Sequence, residues 1–226
     1  MSAPPSTTEL DDHDARLGIE ACRLHERYTL ELIERFNLCP WARRSRLDGE
    51  VERHPLLQRS MDAAPTLALL DRLEAAPRPI PIALAIYPRL AVTPRQFDAM
   101  AAEIKALDQA RHQGRPIYVS ATFHPDYPLD LRSPSALVPW LRRSPDPSLQ
   151  LVRLDVIEAA RGRTGKMMFD FSPAAWEEVR RRVERGTVPE RVAADNHATA
   201  ERERDEMERV VADIAADRAR SYAGLV

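Results

Sequence analysis

The chain has 226 residues, a formal net charge of −2, 44% apolar and 30% charged residues. That is enough for one domain, or one and a half, with a core that needs no metal or disulfide staple. It excludes a globally disordered chain and a bulk electrostatic binder of nucleic acid or anionic membrane. Nineteen prolines against seven glycines make the connections stiff.

No run of about 18 apolar residues exists, so no transmembrane helix is expected. The start of the chain lacks the basic-then-apolar order of a signal peptide, and a cytoplasmic location is expected. Two cysteines, Cys22 and Cys39, are too few for a disulfide framework. On one helix they would lie roughly 25 Å apart, far beyond disulfide reach.

Residues 1–13 read as a disordered tail. From Asp14 to Leu38 the spacing predicts a long helix, with Leu17, Ala21, Leu24, Tyr28 and Leu32 in one stripe widened by Ile33 and Phe36. Pro40 limits that helix and is suited to open a short turn through Arg46. Glu50 to Leu57 reads as a short strand, and Asp62 to Ala75 as a helix with Leu67, Leu70 and Leu73 inward. Ile80 to Tyr87 is a short apolar run bounded by prolines, the pattern of a buried strand. Thr93 to His112 reads as a helix with Phe97, Met100, Ile104 and Leu107 on one face, Pro94 at its first position and Gly114 past its end. Pro116 to Phe123 carries the strongest strand signal. Pro134 to Arg142 is a short helix in a proline-rich stretch. Leu149 to Ile157 reads equally as a strand or as the start of a helix. Residues 173–185 and 188–220 are charged and helical.

This order predicts an α/β fold: a small mixed sheet with helices packed on it, a long N-terminal helix and charged C-terminal helices. The expected division is an α/β domain over 14–165 and a helical extension, 166–226, packed on the same domain. The thin apolar stripe of the last helix (Ala193, Met207, Val210, Val211, Ile214, Ala215) reads as packing on the domain or, alternatively, as a homodimer contact through 190–220.

Three segments stand where a predicted element meets a rigid proline loop: Asn37 to Ala42 (NLCPWA), Thr122 to Tyr127 (TFHPDY) and Arg142 to Arg153 (RRSPDPSLQLVR). In this order they resemble the motifs NLCPFA, SFHPDY and NRSPYPTLHLLR of an uncharacterised bacterial family, the domain of unknown function fourteen-fifteen. The similarity spans about Asp14 to Arg161. It implies an α/β fold and no defined activity. The chain departs from the pattern at Arg142, where the family has asparagine, and at Gln150, where it has histidine.

Within these segments Cys39 is a candidate nucleophile, or a metal or haem ligand. A thiolate there would be opposed by the C-terminus of the long helix and favoured by the start of a turn at Pro40. The alternative is a buried cysteine beside Trp41. His124 is a candidate general acid or base, or a ligand, with Asp126 to orient it and Tyr127 to donate a proton. The alternative is a loop histidine satisfying carbonyls at a strand end. Arg143 and Ser144, with Arg43 or Arg44, read as an anion-holding set. The alternative is an arginine capping a turn. His25, His54, His112 and His197 read as structural or solvated.

No Cys-x-x-Cys, His-Glu-x-x-His, P-loop or dinucleotide fingerprint is present, and Gly162 to Lys166 lacks P-loop spacing. The expectation is an enzyme acting on a small anionic molecule by thiol or acid–base chemistry. The first alternative is a haem- or transition-metal-binding protein using Cys39 and His124, with His54 or Asp126 completing any zinc site. The second is a non-catalytic interaction protein.

Overall fold

A computed structural model describes residues 7–162 and 188–226. The helix predicted at 173–185 and the connector beyond Gly162 lie outside the described residues.

The first helix, α1 (Thr7–Tyr28), starts ahead of the Asp14 expected, within the segment read as a tail, and continues as a π-helical stretch, Thr29–Glu34. The stripe holds throughout: Leu17, Ala21, Leu24, Tyr28 and Leu32 are all buried. Asn37 ends it in the left-handed conformation (φ 52°), with the Leu38 N–H donating to the Ile33 carbonyl at 2.9 Å. Asparagine tolerates that conformation better than most residues, which gives the first residue of the NLCPWA segment a backbone reason. Pro40 then leads into α2 (Ala42–Leu47).

The rest alternates as predicted: β1 (Val51–Pro55), α3 (Ala64–Glu74), β2 (Ile82–Ile86), α4 (Pro94–Arg111), β3 (Tyr118–Phe123), α5 (Pro134–Leu141), β4 (Ser148–Arg153) and α6 (Leu154–Gly162). The ambiguous segment after Pro147 is thus both things in turn, a strand and then a helix. The last helix, α7, is Val188–Ser221. Thr93 caps α4 in a reciprocal capping box with Gln96.

The sheet order is β1-β2-β4-β3, with β1 and β2 parallel and β4 antiparallel to both its neighbours. This is the mixed sheet the connection lengths suggested. β2 is buried on both faces, so its sequence reads as continuous apolar residues. Ala83, Ala85 and Tyr87 face the core shared with α3 and α4. Leu84 and Ile86 face Leu17, Ala21 and Leu24 of α1 and Tyr222 and Leu225 at the chain end. A further cluster joins Tyr28, Leu32 and Leu38 to Leu137, Trp140 and Leu141 of α5 and to Ala200, Met207, Val210 and Ile214 of α7. The stripe of α7 is therefore used within the chain.

Leu107 departs from its expected place and is 42% exposed. Asp108 takes the inward position of that turn and pairs with Arg111 (3.1 Å). His112 reaches across to Glu74 at 3.1 Å, so this group ties the ends of α3 and α4 together. No helix among the described residues is long and apolar enough to cross a membrane.

Candidate functional site

β3 delivers His124 to a junction of two loops. The His124 N–H donates to the Arg142 carbonyl (3.0 Å), and Arg143 Nε donates to the Pro125 carbonyl (2.8 Å). The second and third motif segments are therefore stitched together.

The His124 side chain is 1% exposed. The Asp126 backbone N–H points at its Nδ1 (3.1 Å), which makes Nδ1 an acceptor and puts the ring proton on Nε2. Nε2 in turn donates to the Val92 carbonyl at 2.9 Å. Both nitrogens are occupied, so neither a metal nor a substrate proton reaches one without breaking a bond. Burial holds the imidazole below its ordinary pKa, and it is neutral at pH 7. Its ring lies among Phe97 and Tyr127, with centroids at 6.1 and 5.9 Å.

Asp126 orients the ring through its backbone. Its carboxylate is 74% exposed and stands 3.9 Å from Nδ1. Tyr127 donates to the Asp98 carboxylate (2.7 Å) and lies 2.8 Å from Thr122 Oγ1. Burial is the main cause that pushes its phenol up to about 12.

Cys39 sits beside the backbone N–H groups of Trp41 and Ala42, the favourable of its two expected geometries. Burial outweighs those dipoles, and the thiol pKa is raised rather than lowered. Asn196 of α7 donates to the neighbouring Leu38 carbonyl at 2.9 Å. None of the hydrogen bonds or ring contacts of His124 involves Cys39.

Ser144 is fully buried, and its hydroxyl donates to the Asp146 carbonyl, as does that of Ser148. The hydroxyl expected to hold an anion instead fixes its own turn. Asp146, 1% exposed, extends that turn's reach. Its carboxylate takes Arg218 Nε at 2.7 Å and the Tyr222 hydroxyl at 2.6 Å. This anchor between the third segment and α7 was not apparent from the sequence, because its partner is 72 residues away. Burial raises the Asp146 pKa against the pull of Arg218.

Arg143 stays available. Its Nε is committed to Pro125, but its terminal nitrogens have no partner among the described residues. It lines a half-open cleft of about 110 Å³ with Tyr28, Pro125, Asp126, Ser144, Pro145, Val211, Ile214 and Ala215. Tyr28 donates to the Leu141 carbonyl at 2.9 Å, and burial raises its phenol. Val211, Ile214 and Ala215 come from the apolar stripe of α7. Arg43 and Arg44 are exposed on α2, Arg44 pairs with Asp48 (3.3 Å), and neither lines the cleft. Arg142 lies over the Phe123 ring, 5.7 Å from its centre. A wider depression of about 280 Å³, at Arg16, Ile19, Glu20, Ser221 and Leu225, contains no motif residue.

No curated protein and no solved structure matches the chain. A family model does match residues 23–167, which contain all three motif segments and end before α7. The match starts after Asp14 and runs past Arg161, slightly displaced from the expected span. On that match, the chain belongs to the family described as a protein of unknown function, DUF1415.

Proposed function

We propose that this protein binds a small anionic molecule in the cleft between the two stitched loops and α7, with Arg143 as the residue that holds the anion. One observation carries the reading. The guanidinium is fixed through Nε to the Pro125 carbonyl, Arg143 lines the cleft, and its terminal nitrogens have no partner among the described residues. A pre-oriented planar fork with free donors suits a carboxylate or a phosphate oxygen pair. The size argues for a ligand of a few heavy atoms, since clefts for nucleotide- or drug-sized ligands are about 300–1,000 Å³.

The enzyme reading built on Cys39 and His124 has less support. His124 has no free nitrogen. The Cys39 thiol is harder to ionise than an ordinary one. The same two facts weaken the haem and metal alternative, which needs a thiolate and an imidazole lone pair. His124 is better described as a positioning residue for the loop that carries Asp126.

The test is ligand-observed NMR with isovalerate and methylphosphonate against the wild type, Arg143→Gln and Arg143→Lys. Saturation transfer to one of the anions, lost in Arg143→Gln and partly kept in Arg143→Lys, is expected. Equal signals from the wild type and Arg143→Gln would refute the reading. A melting curve for each variant separates lost binding from lost fold.

A further inference from the structure

The cleft carries two charges of opposite sign that do not satisfy each other. Arg143 and Asp126 both line it, yet no ion pair joins them. The Asp126 carboxylate stands out into solvent, 74% exposed, and the one basic side chain within 4 Å of it among the described residues is His124, through Nδ1. That nitrogen accepts a hydrogen bond and bears no proton, so it gives the carboxylate no cationic partner. Apart from Tyr28 and Ser144, the rest of the lining is apolar: Pro125, Pro145, Val211, Ile214 and Ala215. A plain anion answers Arg143 and leaves Asp126 repelling it.

We infer that the ligand is a small zwitterion, an α-amino acid with a small or aliphatic side chain. Its carboxylate lies on the Arg143 fork, its ammonium on Asp126 and its side chain against Val211, Ile214 and Ala215. The inference rests on the anion-holding role of Arg143 proposed above and adds the second charge and the apolar contact.

The volume agrees with this class. A closed cavity of about 150 Å³ accommodates benzene. A half-open cleft of about 110 Å³ therefore suits an alanine- to leucine-sized molecule with one edge in solvent. A carboxylate and an ammonium on one carbon are about 3 Å apart, and each adds a hydrogen bond of about 2.9 Å. Such a ligand answers two charged groups that line one cleft and form no ion pair with each other. Two charge-assisted contacts also discriminate strongly, because losing either leaves one charge unanswered.

The experiment is isothermal titration of the full chain with L-alanine, L-valine and L-leucine, beside isovalerate and isobutylamine, which each keep one charge of valine. An amino acid is expected to bind at least about tenfold more tightly than either single-charge analogue. Asp126→Asn, a change at an exposed side chain whose backbone N–H still serves His124, should remove that advantage and leave isovalerate binding unchanged or improved. Ala215→Leu, on an exposed face of α7, should fill the cleft and weaken every ligand.

Isovalerate binding as tightly as valine, with no effect of Asp126→Asn, would overturn the zwitterion and leave the anion reading standing. Binding by none of the amino acids up to about 10 mM would overturn the zwitterion as well. If isovalerate also fails and Arg143→Gln changes nothing, both readings fall.

Discussion

Replacing Arg218 with alanine removes the cation from a carboxylate that water cannot reach. Asp146 is 1% exposed, and among the described residues it keeps the Tyr222 hydroxyl at 2.6 Å as its only remaining side-chain partner. Stripping one member from a buried pair costs about 3–5 kcal/mol, most of it the penalty on the charge left behind. For a chain of this length that lowers the melting temperature on the order of 10 °C. Arg218 also donates to the Pro88 carbonyl (3.2 Å) and covers the Tyr222 ring at 4.6 Å, so the loss loosens the end of α7. The assay is urea unfolding followed by circular dichroism. Arg204→Ala is the control, because its pair with Glu208 (3.3 Å) is half-exposed and worth less than about 1 kcal/mol. The deficit of Arg218→Ala should shrink in acid, since a stranded Asp146 relieves itself by taking a proton. A deficit within about 0.5 kcal/mol of Arg204→Ala, or one independent of pH, would refute this account.

Three more outcomes are expected. His25 is buried, its Nδ1 has no hydrogen-bond partner, and burial lowers its pKa to about 3. The unfolded chain takes the proton first, so stability should be flat above about pH 6.5 and fall toward pH 3 by several kcal/mol. Urea midpoints across that range should flatten in His25→Leu, and an unchanged acid slope in the variant would count against this assignment. His124→Ala should destabilise the fold by about 2–4 kcal/mol, because it leaves the Val92 carbonyl and the Asp126 N–H without their partner; an unchanged urea midpoint would mean that His124 is not a scaffold residue. Cys22 and Cys39, both with thiols raised by burial, should react with iodoacetamide at pH 7.5 more slowly than free cysteine. A faster rate in Cys22→Ala, where Cys39 is the remaining thiol, would restore Cys39 as a nucleophile.

The elements legible in the sequence were those whose burial follows a local period. The α1 stripe, the two-sided β2 run and the Pro94 start of α4 each advertise themselves within a few residues. Leu107 misled because helical periodicity cannot tell an inward leucine from an inward aspartate whose partners, Arg111 and His112, lie one turn further along at the end of the same helix. The π-helical stretch left no trace in the stripe, which continues through it.

In the candidate site, the residue type of Arg143 suggested an anion-holding role, which the proposal above retains. For His124 the sequence left two readings open, and the hydrogen bond to Val92 matches the loop histidine that satisfies a carbonyl; which carbonyl His124 and Ser144 would meet depends on where Val92 and Asp146 lie after folding. The three-segment pattern, read first as reactive chemistry, is in large part loop architecture. Asn37 closes a helix, His124 and Ser144 hold turns, and Asp146 ties a loop to a distant helix.

The strand order gives the chain a particular folding schedule during synthesis. β4 is interior to the sheet and the last of the four strands to be made. Until residue 153 emerges from the ribosome, β3 has no strand beside it and β2 has only β1. Even then the Asp146 carboxylate awaits Arg218, which is made some seventy residues later. The sheet therefore closes from its middle, and the last turns of α7 complete it. A chain cut at the end of the family match would hold every strand and lack the cation that answers the buried Asp146 carboxylate.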